Sequence, residues 1–116
     1  MDGKRLAQVN SDGNPVLVYT TCPSKEVAKH IAGELVRQQL AACANILPAM
    51  EAVFIWQGEV QSEAEVAMLL KTRRGRADRV VGEIERLHPY DTPAILVIPV
   101  EGGSQPFIDW IAENTQ

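Results

Sequence analysis

The residues with the clearest chemical potential are the histidines and cysteines, two of each in a chain of 116 residues. His88 ends an amphipathic stretch and opens the segment HPYDTP (88–93). Two prolines stiffen this segment, so they restrict the imidazole of His88, the phenol of Tyr90 and the carboxylate of Asp91. The pattern suits a transition-metal ligand site. It equally suits a helix stop followed by an ordered connection.

The two cysteines lie in different surroundings. Cys22 comes just before Pro23 and a predicted helix start at Ser24, a location that lowers a thiol pKa and favours the thiolate. Cys43 lies among small residues in AACAN (41–45), where it can be a small buried hydrophobe, a nucleophile or a soft-metal ligand. Zinc sites need three or four protein ligands. A tight metal site would therefore draw ligands from several loops or from two subunits.

Motifs for catalysis are missing from the sequence. It has no G-x-S-x-G, no Walker phosphate loop, no G-x-G-x-x-G and no H-E-x-x-H. No general base stands next to Cys43 in the sequence. We therefore expect a protein that is not an enzyme and that has no certain cofactor.

Charged residues limit the partner classes. The formal net charge of −4 argues against nucleic acid and against an anionic membrane surface as partners. One short basic cluster suits a solvated strand end or a phosphate or carboxylate site, and comprises Lys71, Arg73, Arg74 and Arg76. Three acidic residues near a predicted hairpin tip suit a solvated tip or a hard-cation site, and these are Glu59, Glu63 and Glu65.

The expected compartment is the cytoplasm. Lys4 and Arg5 are not followed by the apolar run and small-residue cleavage site of a secretory signal. Two cysteines are too few for a disulfide framework.

Hydrophobic patterns predict the elements that position these groups. Residues 1–14 predict a flexible N-terminal tail and residues 15–116 a single domain. Apolar runs at 15–21 and 94–100 predict buried strands. Helical periodicity predicts helices after Ser24, Gly75 and Ser104. With a long hairpin between the first two helices, the order is β-α-β-β-α-β plus a terminal helix. This order is typical of a ferredoxin-like α+β sandwich.

The predicted hairpin is long for its domain. Its first arm runs from Ala41 to a turn at Gln57-Gly58, with Pro48 marking a bulge or bend. Sixteen extended residues span about 50 Å, whereas a domain of this size is roughly 35 Å across. We therefore expect a second copy of the chain to cover part of the hairpin. The apolar residues concerned are Val53, Ile55, Trp56, Val66 and Met68.

Segments spread along the chain resemble the CutA family, the divalent-cation tolerance proteins. They occur in the family's order and cover nearly all of the chain from Pro15 onward. They are Thr20-Thr21 with Pro23, LAACANI (40–46), WQG (56–58), Glu65, Lys71-Thr72, His88-Pro89-Tyr90 with Pro93, and Trp110-Ile111.

The resemblance implies a homotrimer that takes part in the response to metal ions. In that family the hairpin reaches across to neighbouring subunits, and copper or another divalent cation is the candidate ligand. Some members are described as binding copper through a first-strand cysteine and two adjacent histidines. Here Thr20 and Leu87-His88 stand in those positions, so only His88 matches. The metal candidates are His88, Cys22 and Cys43.

The resemblance also leaves an alternative open. The trimer is similar in architecture to the nitrogen-regulatory signalling trimers, so it could sense a small ligand in clefts between subunits. The candidate cleft residues are Lys71, Trp56, Tyr90 and Asp91.

Overall fold

The computed structural model of the protein describes residues 12–116. Of the expected tail (residues 1–14), residues 1–11 lie outside the described residues. The elements are β1 (Pro15–Cys22), α1 (Lys25–Arg37), β2 (Cys43–Trp56), β3 (Glu59–Arg73), α2 (Arg74–Leu87), β4 (Ile95–Pro99) and α3 (Gln105–Glu113). The predicted α+β class and the β-α-β-β-α-β order with a terminal helix are confirmed.

The four strands form one antiparallel sheet in the order β2-β3-β1-β4. Helices α1 and α2 cover one side of it, called here the helix face, to which Val16, Val18 and Thr20 of β1 point. The other side is called the outer face and carries the alternate residues of β1, with α3 over one end. The core lies under α1 and α2 and includes Val18, Ile31, Leu35, Met68, Leu70, Val80 and Ile84.

Local signals determine where the helices begin and end. The Ser24 side chain accepts a hydrogen bond from the Val27 N–H at 3.2 Å, as predicted for an N-cap. Helix α1 ends where Gln39 takes a positive φ of 59° and the Leu40 N–H donates to the Leu35 carbonyl at 3.0 Å. Helix α2 stops at His88, which adopts an extended backbone before Pro89. Among residues 12–116, no helix is long and apolar enough to cross a membrane.

The hairpin has a tight turn and one bulge. Gln57 and Gly58 both have positive φ, at 52° and 80°, which suits the twist of a two-residue hairpin. The register shifts between Leu47 and Met50, where Pro48 and Ala49 of β2 oppose the single residue Val66 of β3. Ala49 has a φ of 61°. The bulge predicted from Pro48 is confirmed.

The part of the hairpin beyond the bulge, residues 50–65, is called here the distal hairpin and projects beyond the rest of the domain. The chain measures 51 × 30 × 23 Å, with a radius of gyration of 15.6 Å. A compact chain of this size has a radius of gyration of about 13 Å. The excess length that the sequence predicts is therefore present in the structure.

The prediction that β1 and β4 are buried strands is wrong for the outer face of the single chain. Leu96 of β4 is 62% exposed and Ile98 is 40% exposed. In β1, residues Val16, Val18 and Thr20 are fully buried, but the alternate residues Leu17 and Tyr19 are only half-buried. The reason is that α1 and α2 lie on one face only, so the outer face is left largely open.

Two of the hairpin residues expected to need cover from another copy do not need it. Val66 and Met68 are buried within their own chain, under α1 and α2, because they belong to the base of β3. The expectation is corrected for these two.

Two buried threonines provide a test of the core. The hydroxyl of Thr20 has no hydrogen-bond partner, whereas that of Thr72 donates to the Leu40 carbonyl at 2.6 Å. Both side chains are fully buried. A buried hydroxyl without a partner costs free energy that a methyl group does not. We expect Thr20→Val to raise the free energy of unfolding by about 1 kcal/mol and Thr72→Val to lower it by a similar amount.

The measurement is guanidinium unfolding of the two variants and the parent at one protein concentration. Both variants replace a hydroxyl by a methyl group. Opposite signs of the change in the free energy of unfolding can therefore be assigned to the hydrogen bond that only Thr72 makes. If both variants lose stability equally, the hydroxyl of Thr20 has a partner after all.

Candidate functional site

Three segments meet where the hairpin leaves the sheet. They are the end of β1, the loop that follows α2, and the middle of β3. The side chains brought together are Cys22, His88, Tyr90 and Glu65, called here the loop cluster. Pro89 ends α2 and turns the chain back, and this places His88 over the end of β1.

Both ring nitrogens of His88 are engaged. Its Nε2 lies 2.7 Å from the carbonyl oxygen of Thr21, and its Nδ1 accepts a hydrogen bond from the Tyr90 N–H at 3.2 Å. A carbonyl oxygen only accepts and a backbone N–H only donates. The ring therefore carries its proton on Nε2 and is neutral in this arrangement. With 7% of its surface exposed, His88 ties the loop to β1.

Tyr90 connects the loop to β3. Its ring lies 4.8 Å from that of His88, tilted by 53°, and its hydroxyl donates to Glu65 Oε2 at 3.1 Å. Burial raises the pKa of Tyr90 to about 12, and the hydrogen bond and negative charge of Glu65 act in the same direction. The phenol therefore remains a hydrogen-bond donor throughout the physiological pH range.

The expectation that the helix start lowers the Cys22 pKa is wrong. Cys22 is fully buried as the last residue of β1. Burial raises its pKa to about 11, and the Glu65 carboxylate adds to the effect. Desolvation of the thiolate is the larger of the two causes. Cys22 is a protonated core residue, and binding a soft metal would first require it to lose that proton.

The loop cluster is suited to holding protons and tying segments together. Its thiol and phenol are both protonated at neutral pH, and its imidazole has no free ring nitrogen. Within residues 12–116, no group of three or more His, Cys, Asp and Glu side chains is placed to hold a metal ion. A metal of the kind that the resemblance implies therefore does not fit the residues of this single chain.

The structure does not bring the other predicted ligands to the loop cluster. Lys71 lies six residues along β3 from Glu65, and Trp56 pairs with Glu59, six residues away in the other direction. Each is thus roughly 20 Å from the cluster. Asp91 is in the loop but exposed.

Cys43 also lies away from the loop cluster. It pairs with Lys71 across the base of the hairpin and is half-buried. The two cysteines, both free, therefore belong to different parts of the sheet.

Two interactions escaped the sequence reasoning. Glu65 is predicted as one of three hairpin-tip charges and as part of the family resemblance, yet it is also the acceptor for Tyr90, 25 residues away in the chain. Asn45 was noted only as part of a motif, yet its side-chain oxygen accepts a hydrogen bond from the Lys71 ammonium. When the strand register is counted from the Gln57-Gly58 turn with one extra residue for the bulge, Asn45 and Lys71 become near neighbours on the same face, so this pair could be predicted from sequence.

The raised pKa of Cys22 predicts a thiol that resists ionisation. In a Cys43→Ser variant, we expect the Raman S–H band of Cys22 to persist at about pH 9.5, where an ordinary cysteine is mostly thiolate. Glu65→Gln removes one cause of the raised pKa, so the pH midpoint of Cys22 ionisation should fall towards the ordinary cysteine pKa.

The raised pKa also predicts a pH dependence of stability. In the unfolded chain Cys22 ionises at a lower pH than in the folded chain, so the free energy of unfolding should decline as the pH rises from about 8.5 to 11.

The control is the reverse variant, Cys22→Ser, which reports Cys43 alone by the same band. Loss of the Cys22 band with a midpoint near pH 8.5, in the variant with Glu65 intact, would contradict the assignment.

Comparison with known proteins agrees with this geometry. The sequence profile of the family described as "CutA1 divalent ion tolerance protein" matches residues 16–114. The crystal structure of the divalent ion tolerance protein CutA1 from Ehrlichia chaffeensis is 37% identical, with a TM-score of 0.87. The match covers 91% of this chain and 99% of the Ehrlichia chain. The CutA1 structure from Thermus thermophilus is 39% identical, with a TM-score of 0.85. That match covers 88% of this chain and 99% of the Thermus chain.

Relatives known by sequence extend the likeness to plants. The chloroplastic protein CutA 1 of Oryza sativa is 34% identical over 112 residues, which are 97% of this chain. The chain spans 63% of the length of that relative. The divalent-cation tolerance protein CutA of Thermus thermophilus is 40% identical over 99 residues, 85% of this chain and 96% of its own length. This chain belongs to the CutA1 divalent ion tolerance family.

Proposed function

We propose that this protein acts in divalent-cation tolerance as a homotrimer without enzymatic activity, and that it does so in the cytoplasm. The family and the names of its relatives support the connection with divalent ions. The exposed distal hairpin is the single observation that supports assembly most strongly.

The distal hairpin exposes apolar side chains on both of its faces. Val53, Ile55 and Val60 share one face and are 70%, 72% and 72% exposed. Trp56, on the opposite face, is 61% exposed. Helices α1 and α2 cover only the base of the hairpin, so no part of residues 12–116 covers these side chains. Large exposed apolar surface of this kind marks an interface between proteins.

The outer face of the sheet offers a second apolar surface. Leu47, Leu96 and Ile98 are exposed on it, and neither edge strand of the sheet has a strand partner on its outer side among residues 12–116. A hairpin that extends from one subunit can reach the sheet of the next, and the contact is then head-to-tail. Head-to-tail contacts close into a ring when the rotation allows it. Three subunits form the ring that we propose.

The native mass tests the proposed assembly. We expect the parent to have about three times the chain mass of 12.7 kDa by light scattering. Ile55→Asp should shift the mass towards the single chain, because a buried unpaired carboxylate at the interface is costly. Val36→Asp makes a similar change at an exposed position on α1 and should leave the mass unchanged. A parent of single-chain mass would overturn the proposal.

Cation binding by this protein is proposed to be weak in the single chain and to depend on the assembly. The Nδ1 of His88 would be the ligand atom, since its hydrogen bond from the Tyr90 N–H, at 3.2 Å, is longer than the Nε2 contact with Thr21. Other ligands would come from a neighbouring subunit. Copper and zinc are the ions to test, because imidazole suits both.

Isothermal titration with copper and zinc, on the parent and on His88→Ala, measures this contribution. We expect weak binding by the parent and a further loss of about tenfold when the imidazole is removed. His88→Gln keeps a side-chain donor for the Thr21 carbonyl and serves as the folded control. Equal affinity of all three proteins would remove His88 from the role.

A second candidate function, the sensing of a small ligand, is favoured by one specific observation. A pocket lies beside Lys71, one of the predicted ligand residues. Of the four predicted cleft residues only Lys71 lines this pocket, and the pocket lies within one chain, whereas the predicted cleft lies between subunits.

A further inference from the structure

Helix α2 begins directly at the end of a strand. Strand β3 ends at Arg73 and α2 begins at Arg74, so no loop residue separates them. Arg73 is therefore both the N-cap of α2 and the last residue of β3, where it pairs with Pro15 of β1. A guanidinium has donors only, so Arg73 cannot accept a hydrogen bond from the helix. The pairing instead places the residues just before Pro15 beside the helix start.

The first turn of α2 carries charges of the unfavourable sign. It contains Arg74 and Arg76 and no acidic residue. The N–H groups at a helix start carry partial positive charge, so a cation there is unfavourable and an anion is favourable. Helix α1, by comparison, has the Ser24 cap and Glu26 in its first turn. The sequence of α2 alone therefore gives a poorly stabilised start.

Residues 12–14, called here the N-terminal strap, supply hydrogen-bond acceptors to this helix start. The carbonyl oxygen of Asn14 accepts from the Arg74 N–H at 2.8 Å. The carbonyl oxygen of Asp12 accepts from the Gly75 N–H at 3.0 Å. The first N–H groups of a helix have no partner inside the helix. Two of these groups in α2 thus find partners in a segment that lies about 60 residues earlier in the chain.

The side chain of Asp12 supplies the missing negative charge. Its Oδ2 accepts from Arg73 Nη1 at 2.8 Å, and its Oδ1 lies against Gly75. A Cβ atom at Gly75 would overlap this carboxylate, so the contact needs a glycine there. The Arg73 side chain is 15% exposed, whereas that of Asp12 is 68% exposed. A carboxylate open to solvent on one side thus holds the strap to the helix start.

We propose that the N-terminal strap is a releasable cap of α2, held closed by the ion pair between Asp12 and Arg73. When it is closed, two backbone N–H groups have partners and the positive helix end is balanced. When it is released, these groups and the guanidinium lose their partners, so the first turn of α2 unwinds. The strap uses residues of one chain only, so it depends neither on the proposed assembly nor on cation binding.

The exposure of the carboxylate makes release dependent on salt. Ions in solution screen an exposed ion pair, whereas they have little effect on a hydrogen bond between uncharged backbone groups. A strap held by its two backbone hydrogen bonds alone would therefore respond neither to salt nor to the charge of Asp12. These two responses distinguish a releasable strap from a passive backbone contact.

Amide hydrogen exchange of the full-length protein, followed by nuclear magnetic resonance, measures opening of the first turn. Asp12→Asn removes the charge and keeps the shape, and it should lower the protection of the Arg74 and Gly75 amides about threefold. Salt at about 0.5 M should have a similar effect on the parent and little effect on this variant. Glu85→Gln removes a charge at an exposed position near the other end of α2 and should leave both amides unchanged. The Val81 amide, in the middle of α2, is the internal control.

Substitution of Gly75 tests the contact with the carboxylate directly. Alanine is more favourable than glycine in a helix, and the φ of Gly75 is not positive. In an Asp12→Ala background, Gly75→Ala should therefore raise the protection of the Arg74 amide about threefold. In the parent, the new methyl group displaces the carboxylate and the gain should be absent. Gly82→Ala, with no atom within 4 Å of its new methyl group, should have the same effect in both backgrounds.

Circular dichroism confirms that each variant is folded, and protection is corrected for the intrinsic exchange rate of each sequence. Unchanged protection of the two amides in Asp12→Asn would overturn the proposal. An equal gain from Gly75→Ala in the parent and in the Asp12→Ala background would overturn it as well, because the carboxylate would then not lie against Gly75.

Discussion

The extra residue on β2 determines which side chains of the hairpin face the helices. Because side chains alternate along a strand, a shift of one residue moves every following side chain to the other face. Below the bulge at Pro48 and Ala49, Cys43 pairs with Lys71 on the outer face. Without the bulge, the register set by the turn would pair Cys43 with Thr72 and direct it towards the helices. The bulge thereby lets β2 contribute Ala44 and Ile46 beside the core, and it separates this base from the distal hairpin, which no part of residues 12–116 covers.

Much of this architecture could be predicted from sequence because its signals are local. Ser24 and Ser104 mark helix starts, Gln57-Gly58 marks the turn and Pro48 marks the bulge. The loop cluster could not be predicted in the same way. His88 meets Thr21 across 67 residues of chain, and the partner of Tyr90 depends on where β3 passes the loop. Such pairs follow from the packing of the whole domain, and no local pattern encodes them. The wrong pKa expectation for Cys22 has the same origin, since burial is a property of the fold.

Glu65 connects the groups of the loop cluster electrostatically. One carboxylate raises the pKa of both Tyr90 and Cys22, after the larger effect of burial in each case. Catalytic sites usually shift acid and base in opposite directions, so that one group gives a proton and another takes it. Here the shifts run in the same direction and keep both protons in place. That arrangement suits a structural connection between loop, sheet and hairpin.

The two open edges of the sheet have a consequence for the newly made chain. Strand β4 has five residues, whereas β2 has fourteen, and neither has a partner on its outer side within the described residues. Backbone hydrogen bonding at an edge accepts almost any strand, whatever its side chains. A folded but solitary chain is therefore prone to aggregate, and its lifetime in that state should be short where the protein is made in quantity.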